Sequence, residues 1–198
     1  MPKIQEKNNN TQAYWDGVHQ RGEYPTLDPN NMQRYKVAAQ YQMGNTALDI
    51  GCGQAGLGLV LLEQYPEVHY TGVDFSREGL NTHILPGEWG QRYSFVKADW
   101  RRGLNGIEPS NTVYLLEVLE HCKEPDKLLA TAARLAKVHM VIGVPQYQML
   151  TEKQRRGEHL WDFTEEELIE LLIPYGRVCK PIPANSLCWV LCVDVRQQ

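Results

Sequence analysis

From Thr46 onward, short apolar runs alternate with longer segments of helical spacing. The short runs are rich in Val, Ile, Leu and Tyr, and glycines stand at many of the joints. This pattern predicts strands that alternate with helices. The predicted strands cover about residues 46–50, 69–74, 93–98, 112–117, 138–144, 177–181 and 187–195. The predicted helices cover about residues 57–65, 77–85, 125–137 and 164–175.

The alternation predicts an α/β fold with a doubly wound, seven-stranded Rossmann-like sheet and helices on both of its faces. Most strands should be parallel, with ligands bound at their C-terminal edges. The last two strands have no helix between them, so they should form a hairpin that adds an antiparallel strand to the sheet. Thr164 and Glu167 have the spacing of a capping box at the start of the last helix.

The chain has the length of one ordinary domain, with 198 residues. Residues 1–12 are polar and rich in Asn, so we expect a flexible N-terminus there. Residues 13–198 should form one domain, in which residues 13–45 make N-terminal helices or a lid and residues 46–198 make the core.

Composition narrows the classes of partner. The net charge is -4, which gives no general basic field for long nucleic acids and favours a small-molecule substrate. The five cysteines form no C-x-x-C pair, which indicates a reducing compartment, and the cytoplasm fits best. The sequence shows neither the long apolar run of a membrane span nor the apolar centre of a signal peptide.

The stretch "ALDIGCGQAGLGLVLLEQY" joins a strand, a glycine-rich turn and a helix. Glycines at 51, 53 and 56 let a ligand approach the backbone closely. A nicotinamide dinucleotide and S-adenosylmethionine (SAM) both suit such a turn. Asp49 favours SAM, because a carboxylate there would repel a pyrophosphate but would suit a cationic amino acid.

Four segments in order resemble the motifs of class I SAM-dependent methyltransferases. They are "DIGCGQAG", "TGVDFS", "VKADW" and "LLEVLEH", and the resemblance spans residues 14–175. The family's usual third glycine is Ala55 here, followed by Gly56. The pattern "P…EH…FT.EEL" resembles the corresponding stretch of the group that contains ubiquinone-pathway and small-metabolite methyltransferases.

The resemblance implies a set of cofactor contacts. Asp49 would lie near the ammonium of SAM, Asp74 would accept hydrogen bonds from the ribose hydroxyls, and Asp99 would accept one from the adenine amino group. The remaining positions implied to contact the cofactor are Gly51, Cys52, Gly53, Phe75, Trp100 and Glu117.

Two further segments resemble parts of the family that cover the active site. Tyr14, Trp15 and Arg34 are candidates to close over SAM, although Tyr14 and Trp15 also suit a helix packed on the sheet. His159 and Trp161 are candidates for the substrate pocket. The alternative is an exposed His159 and a Trp161 that packs against the following helix.

The catalytic candidates follow from the chemistry of methyl transfer. The cofactor's methyl group is already activated, so a base is needed only for an acceptor that holds its proton, and His121 and His159 suit that role with Glu120 beside them. "EVLEH" also resembles metal-dependent RNA 2′-O-methyltransferases, which would make Glu117, Glu120, His121 and His159 ligands of Mg²⁺ or Mn²⁺. We favour a metal-free enzyme that methylates O or N of a small molecule. Two further hypotheses are a non-catalytic SAM-binding module and a nicotinamide oxidoreductase.

Overall fold

The structure is a computed structural model that describes residues 10–146, 159–184 and 188–195. The helices in these ranges are α1 Gln12–Arg21, α2 Pro29–Ala39, α3 Gly56–Gln64, α4 Arg77–Asn81, α5 Pro125–Leu135 and α6 Glu165–Leu172. The strands are β1 Thr46–Ile50, β2 His69–Asp74, β3 Tyr93–Lys97, β4 Ser110–Leu116, β5 Ala136–Pro145, β6 Gly176–Val178, β7 Ile182–Pro183 and β8 Cys188–Val195.

These strands form one sheet in the order β3-β2-β1-β4-β5-β8-β6, and β7 pairs with β8. Strands β1 to β5 are parallel to one another. Strand β8 is antiparallel to both β5 and β6. The predicted doubly wound sheet with an antiparallel C-terminal hairpin is therefore confirmed. The short strand β7 is an addition to the seven predicted strands.

The helix ends follow local hydrogen bonding. Thr164 and Glu167 form the capping box predicted for α6. Helix α4 ends at Asn81, whereas the sequence pattern predicted helix to residue 85. The difference arises because the Ile84 amide donates to the Gln54 carbonyl, 3.1 Å away, which ties this segment to the loop after β1. After α4 the chain therefore continues as an irregular segment that runs along the glycine turn.

The apolar core lies on both faces of the sheet. Leu115, Met140 and Phe163 belong to the cluster on one face, which is covered by α5 and α6. Tyr70 and Tyr114 belong to the cluster on the other face, which is covered by α2 and α3. The central strands are buried on both sides, which explains their continuous apolar runs.

The N-terminal helices pack against the sheet and its ends. Helix α2 contacts α3, and α1 contacts α4. Residues 1–9, which include most of the predicted flexible N-terminus, lie outside the described residues, as do residues 147–158 with Arg155 and Arg156. Among the described residues no helix has the length and apolar character needed to cross a membrane.

Candidate active site

The C-terminal ends of three central strands place acidic side chains along one edge of the sheet. Asp49 lies in β1, Asp74 ends β2, and Glu117 directly follows β4. The three strands are parallel neighbours, so these side chains lie at the same edge. The sequence predicted this arrangement, and the chain positions it on the most buried strands of the fold.

The glycine turn after β1 is held tightly against β2 and β4. Gly51 has a φ of 82°, and its amide donates to the Val73 carbonyl at 2.7 Å. A Cβ atom at this position would lie 2.4 Å from a methyl group of Val118. Ala55, at the usual place of a third glycine, adopts a φ of 64° and caps α3 without a side-chain hydrogen bond. Ala55 therefore adopts a left-handed backbone conformation that glycine usually occupies.

Asp49 lies beneath this turn rather than on its open side. It is 3% exposed, and the Tyr70 hydroxyl donates a hydrogen bond of 2.7 Å to its carboxylate. Burial raises the pKa of Asp49 to about 7, and the hydrogen bond from Tyr70 opposes that shift. A cation above the turn would stabilise the ionised form of this carboxyl group.

Asp74 faces the cavity from the end of β2. One carboxylate oxygen accepts from the Gly53 amide at 2.9 Å, and the other accepts from the Ser76 amide at 2.7 Å. Burial raises the pKa of Asp74, although these amides favour the charged form. Each carboxylate oxygen can accept a second hydrogen bond, so two ligand hydroxyls fit here.

The next part of the wall comes from β2 and β3. Phe75 follows Asp74, and the Arg101 guanidinium lies over its ring, 5.3 Å from the ring centre. Arg101 also binds both oxygens of Asp99, at 2.7 Å each, and this pairing lowers the pKa of Asp99. Asp99 caps the short helix that contains Trp100. The predicted adenine contact of Asp99 would therefore use lone pairs that Arg101 leaves open.

One cavity of about 360 Å³ joins these groups. Of the predicted site residues, its lining includes Trp15, Arg34, Gly51, Cys52, Gly53, Asp74, Phe75, Asp99, Trp100, Glu117, His121 and His159. Asp49, Glu120 and Tyr14 do not contribute to the lining. Asp49 and Glu120 are instead buried behind it, at 3% and 1% exposure. The cavity thus brings together the expected cofactor side and acceptor side.

Helix α1 closes the cavity on one side. The indole nitrogen of Trp15 donates to the Asn10 side chain at 3.2 Å, and Asn10 in turn donates to the His121 carbonyl at 3.2 Å. The Trp15 ring lies edge-on to His121, with ring centres 5.1 Å apart. Tyr14 packs edge-on against Trp15 outside the cavity. The N-terminal segment therefore contacts the acceptor side of the cavity through Trp15.

Arg34 reaches the same cavity from α2. Its guanidinium lies 3.4 Å from the Glu117 carboxylate, whose other oxygen accepts from the Cys188 thiol at 3.3 Å. Burial alone lowers the pKa of Arg34, but the negative charge of Glu117 and the groups of Tyr35 and Cys188 raise it above its ordinary value. Glu117 has a φ of 56°, which points its side chain toward Arg34 at a cost in backbone strain.

Glu120, His121 and His159 form a compact group on the opposite wall. One ligand atom from each lies within 4.8 Å of the others. Within the described part of the chain, no group donates a hydrogen bond to either carboxylate oxygen of Glu120. Burial, reinforced by the charge of Glu117, raises the pKa of Glu120 well above its ordinary value. The His121 Nε2 lies 3.7 Å from one of these oxygens, so burial of the charged carboxylate is costly unless a cation pairs with it.

Backbone contacts hold this group together across a long stretch of sequence. The Glu120 carbonyl accepts from the amides of Leu160 and Trp161, at 2.8 and 3.2 Å. The Trp161 indole donates to the Cys122 carbonyl at 2.6 Å. These bonds place His159 beside His121, with ring centres 5.0 Å apart. Trp161 itself packs against the core and does not line the cavity.

Sequence reasoning gave too little weight to several cavity residues. His19 lies over the glycine turn, and its ring would be 3.3 Å from a Cβ atom at Gly53. Burial lowers the pKa of His19, which the nearby Asp74 partly opposes. Gln54, Tyr35 and Arg101 also line the cavity. Asp99 and Arg101 are two residues apart, so their pairing could have been predicted from the sequence. The position of His19 over the glycine turn depends on how α1 packs, which the sequence does not show.

Comparison with known proteins bears on this geometry. Residues 48–139 match the model of the Methyltransf_12 family, described as a methyltransferase domain. The match begins in β1, includes the glycine turn and Asp74, and ends in β5. This part of the chain is similar to a methyltransferase domain, and the sheet has the fold of class I methyltransferases.

Solved methyltransferases share the fold of this domain at low sequence identity. The N-methyltransferase NodS from Bradyrhizobium japonicum, crystallised with S-adenosyl-L-homocysteine (SAH), is 14% identical with a TM-score of 0.73, over 92% of this chain and 99% of NodS. The methyltransferase domain of bacterial CtHen1-C is 19% identical with a TM-score of 0.68, over 84% of this chain and 98% of that one.

A curated relative matches part of this chain. A probable (S)-tetrahydroprotoberberine N-methyltransferase from Papaver bracteatum is 36% identical over 75 residues, which cover 36% of this chain. The matched region spans about a fifth of that relative's length, 21%.

Proposed function

We propose that this chain is an enzyme that transfers the methyl group of SAM to an oxygen or nitrogen of a small molecule. The observation that carries the proposal is the single cavity that joins the glycine turn and Asp74 to His121 and His159. One side of this cavity suits a nucleoside with a cationic amino acid, and the other side suits an acceptor. We also infer a cytoplasmic location, from the five cysteines without a C-x-x-C pair.

The described residues fit SAM chemically. Asp74 offers two oriented carboxylate oxygens where two ribose hydroxyls would bind, and Phe75 and Trp100 offer apolar surfaces for the adenine. Gly51 keeps the turn free of a side chain, and Asp49 supplies negative charge beneath it. Asp49 disfavours the pyrophosphate of a nicotinamide dinucleotide, whereas Asp74 suits the ribose of either cofactor.

When bound, SAM supplies a sulfonium methyl group that an acceptor lone pair attacks in line as the carbon–sulfur bond breaks. The chain's own task is to hold the acceptor and to exclude water. His121 or His159 takes the proton of a hydroxyl acceptor, because an imidazole accepts protons near neutral pH. Trp15 covers this side of the cavity through its contacts with Asn10 and His121.

The lining supports a small aromatic or heterocyclic acceptor. Away from the residues assigned to the adenine, Trp15, Tyr24 and Tyr35 give aromatic surface to the cavity. The partial relative from Papaver is named as an N-methyltransferase of a tetrahydroprotoberberine, and NodS is named as an N-methyltransferase. Both names favour nitrogen as the acceptor atom.

The test is methyl transfer from SAM to panels of small amines and phenols, followed as SAH formed. We expect turnover with at least one panel, and we expect Asp74→Ala to abolish it. His121→Ala and His159→Ala should lower kcat more for phenols than for amines, because only phenols need a base. SAM binding with no turnover on any panel would instead support a non-catalytic SAM-binding module.

A second candidate function is metal-dependent 2′-O-methylation of RNA. The group Glu120, His121 and His159 favours it, because it could hold Mg²⁺ or Mn²⁺ at the acceptor side. Bound there, a divalent ion would polarise acceptor hydroxyls. Glu117 lies outside this group, since its carboxylate faces Arg34 and Cys188.

Chelation separates the two candidates. Turnover that is lost on chelation, is restored by Mn²⁺ and requires RNA would support the second function. Glu120→Gln should then abolish the response to Mn²⁺. Turnover of a small molecule that chelation leaves unchanged would support the first function. The net charge of -4 already argues against long nucleic acids as substrates.

A further inference from the structure

A second group of potential metal ligands lies away from the cavity, on β5 and β8. The antiparallel register pairs His139 with Asp194 and Val141 with Cys192. Residues two apart on a strand share a face, so His139, Cys192 and Asp194 project from the same face of the sheet. One ligand atom from each lies within 4.8 Å of the others. His139 pairs with Thr112 near the start of β4, whereas the cavity lies at the ends of the parallel strands.

The hydrogen bonding of His139 leaves one ring nitrogen suited to a cation. Its Nδ1 lies 2.8 Å from the Tyr41 carbonyl, which can only accept, so Nδ1 carries a hydrogen. Its Nε2 lies 2.9 Å from an oxygen of Asp194. A neutral imidazole would therefore turn a lone pair toward a carboxylate. A metal ion bound between the two atoms would remove that repulsion.

Asp194 is oriented for the same purpose. The Arg177 guanidinium binds its Oδ2, which leaves Oδ1 toward His139. The hydrogen bond from Arg177 lowers the pKa of Asp194, so the carboxyl group is ionised at neutral pH. Arg177 also limits rotation of the carboxylate. This arrangement resembles the outer contacts that orient ligands in metal sites.

Sulfur completes the donor set. Cys192 is fully buried, and burial raises the pKa of its thiol. Cys179 directly follows β6, and its amide donates to the Cys192 carbonyl at 2.8 Å. A metal ion is the species that would stabilise a buried thiolate here.

We propose that His139 Nε2, Cys192 Sγ and Asp194 Oδ1 bind a divalent cation of the zinc class, with Cys179 adjacent as a source of a fourth ligand. Binding forms a metal–sulfur bond and releases the Cys192 thiol proton to solvent. Nitrogen, sulfur and one carboxylate oxygen are zinc ligands, whereas Mg²⁺ and Ca²⁺ prefer oxygen alone. The ion would link β5 and β8.

The test uses Co²⁺ as a spectroscopic substitute for Zn²⁺ on the full chain, in a reductant without thiols. We expect one equivalent of Co²⁺ to give a sulfur-to-cobalt charge-transfer band and intense tetrahedral d–d bands, both removed by Zn²⁺. Cys192→Ser should abolish the charge-transfer band. Cys122→Ser is the matched control, because its buried thiol lies beside Glu120, and it should keep the band.

A second variant guards against misfolding of Cys192→Ser. In His139→Asn the side-chain amide can still donate to the Tyr41 carbonyl, but the variant lacks Nε2. We expect it to fold and to bind Co²⁺ at least tenfold more weakly, and we expect Zn²⁺ to raise the Tm of the parent chain but not of this variant.

Absence of a sulfur-to-cobalt band in the parent chain would overturn the proposal. A band that survives in Cys192→Ser, or one lost in Cys122→Ser, would also overturn it. None of these outcomes depends on methyl transfer, because the ligands lie outside the cavity.

Discussion

The Tyr70 hydroxyl donates a 2.7 Å hydrogen bond to the buried carboxylate of Asp49, directly beneath the glycine turn. This contact is the main protein interaction that favours the ionised form, while burial raises the Asp49 pKa to about 7. A free carboxyl group titrates near about 3.9. Asp49 therefore takes up a proton on folding between these two values.

The first prediction concerns the pH dependence of stability. Because the folded pKa is raised, the contribution of Asp49 is fully present below about pH 4 and is lost as the pH rises to about 7. We expect Asp49→Asn to remove this decline in the free energy of unfolding of the ligand-free chain, measured with urea at several pH values. An identical pH slope in the variant would contradict the assignment.

Asp49 should also make SAM binding depend on pH, because binding should release a proton from its carboxyl group. A cationic ligand above the turn favours ionised Asp49, so affinity should rise by up to about tenfold per pH unit as the pH approaches 7. Calorimetry in buffers of different ionisation enthalpy should show proton release on binding. Asp49→Asn should lose that release.

A second prediction compares two costs of replacing a glycine by alanine at three positions. One cost is backbone strain at positive φ, and the other is a steric clash of the added Cβ atom. Gly51→Ala should cost about 3 kcal/mol, because φ is 82° and the new Cβ would lie 2.4 Å from Val118. Gly22 has a φ of 62° but open space, so Gly22→Ala should cost about 1 kcal/mol. Gly87→Ala meets neither problem and should change stability by less than about 0.5 kcal/mol. Denaturant unfolding would measure all three, and equal costs would refute the account of the turn.

A third prediction concerns Ala55, which has a φ of 64°. Ala55→Gly should raise the free energy of unfolding by about 0.5 to 1 kcal/mol, because it relieves left-handed strain. Ala132→Gly is the matched control, since Ala132 is equally buried but lies within helix α5, and it should lose about 1 kcal/mol. A destabilised Ala55→Gly would show that the lost methyl contacts outweigh the strain.

The sequence predicted much of this site because its signals are local. Asp49, Gly51 and Asp74 lie where a strand ends and a turn begins, so strand pattern and residue type were enough to place them. The antiparallel pairing of β6 and β8 was equally predictable, because no helical pattern separates the last two predicted strands. Strand β7, which is two residues long and ends in Pro183, gives no periodic pattern.

The remaining features depend on contacts between distant segments. The Arg34 guanidinium meets Glu117 only after α2 packs beside the sheet, and His159 reaches His121 only because Leu160 and Trp161 bond to the Glu120 carbonyl. The sequence predicted that Glu120 lies beside His121 and His159 at the acceptor. In the structure, its side chain is buried behind the cavity wall. Sequence spacing did not indicate which side of the short helix this carboxyl group takes.

A fourth prediction follows from the pair of Arg34 and Glu117. Arg34→Met and Glu117→Gln should each destabilise the chain, and a double-mutant cycle should give a coupling of roughly 1 to 3 kcal/mol, because the pair is largely buried. The exposed pair of Arg21 and Glu23 is the control and should show no measurable coupling. Equal coupling in the two pairs would mean that burial does not strengthen the first.

The most direct test of the central claim is calorimetric titration with SAM, SAH and NAD. We predict that SAM and SAH bind and that NAD does not. Asp74→Ala should weaken SAH at least about 100-fold through the loss of two hydrogen bonds to a charged group. Asp126→Ala, which changes an aspartate outside the cavity, should bind normally. Binding of NAD without SAM or SAH, or unchanged SAH affinity in a folded Asp74→Ala variant, would contradict the account.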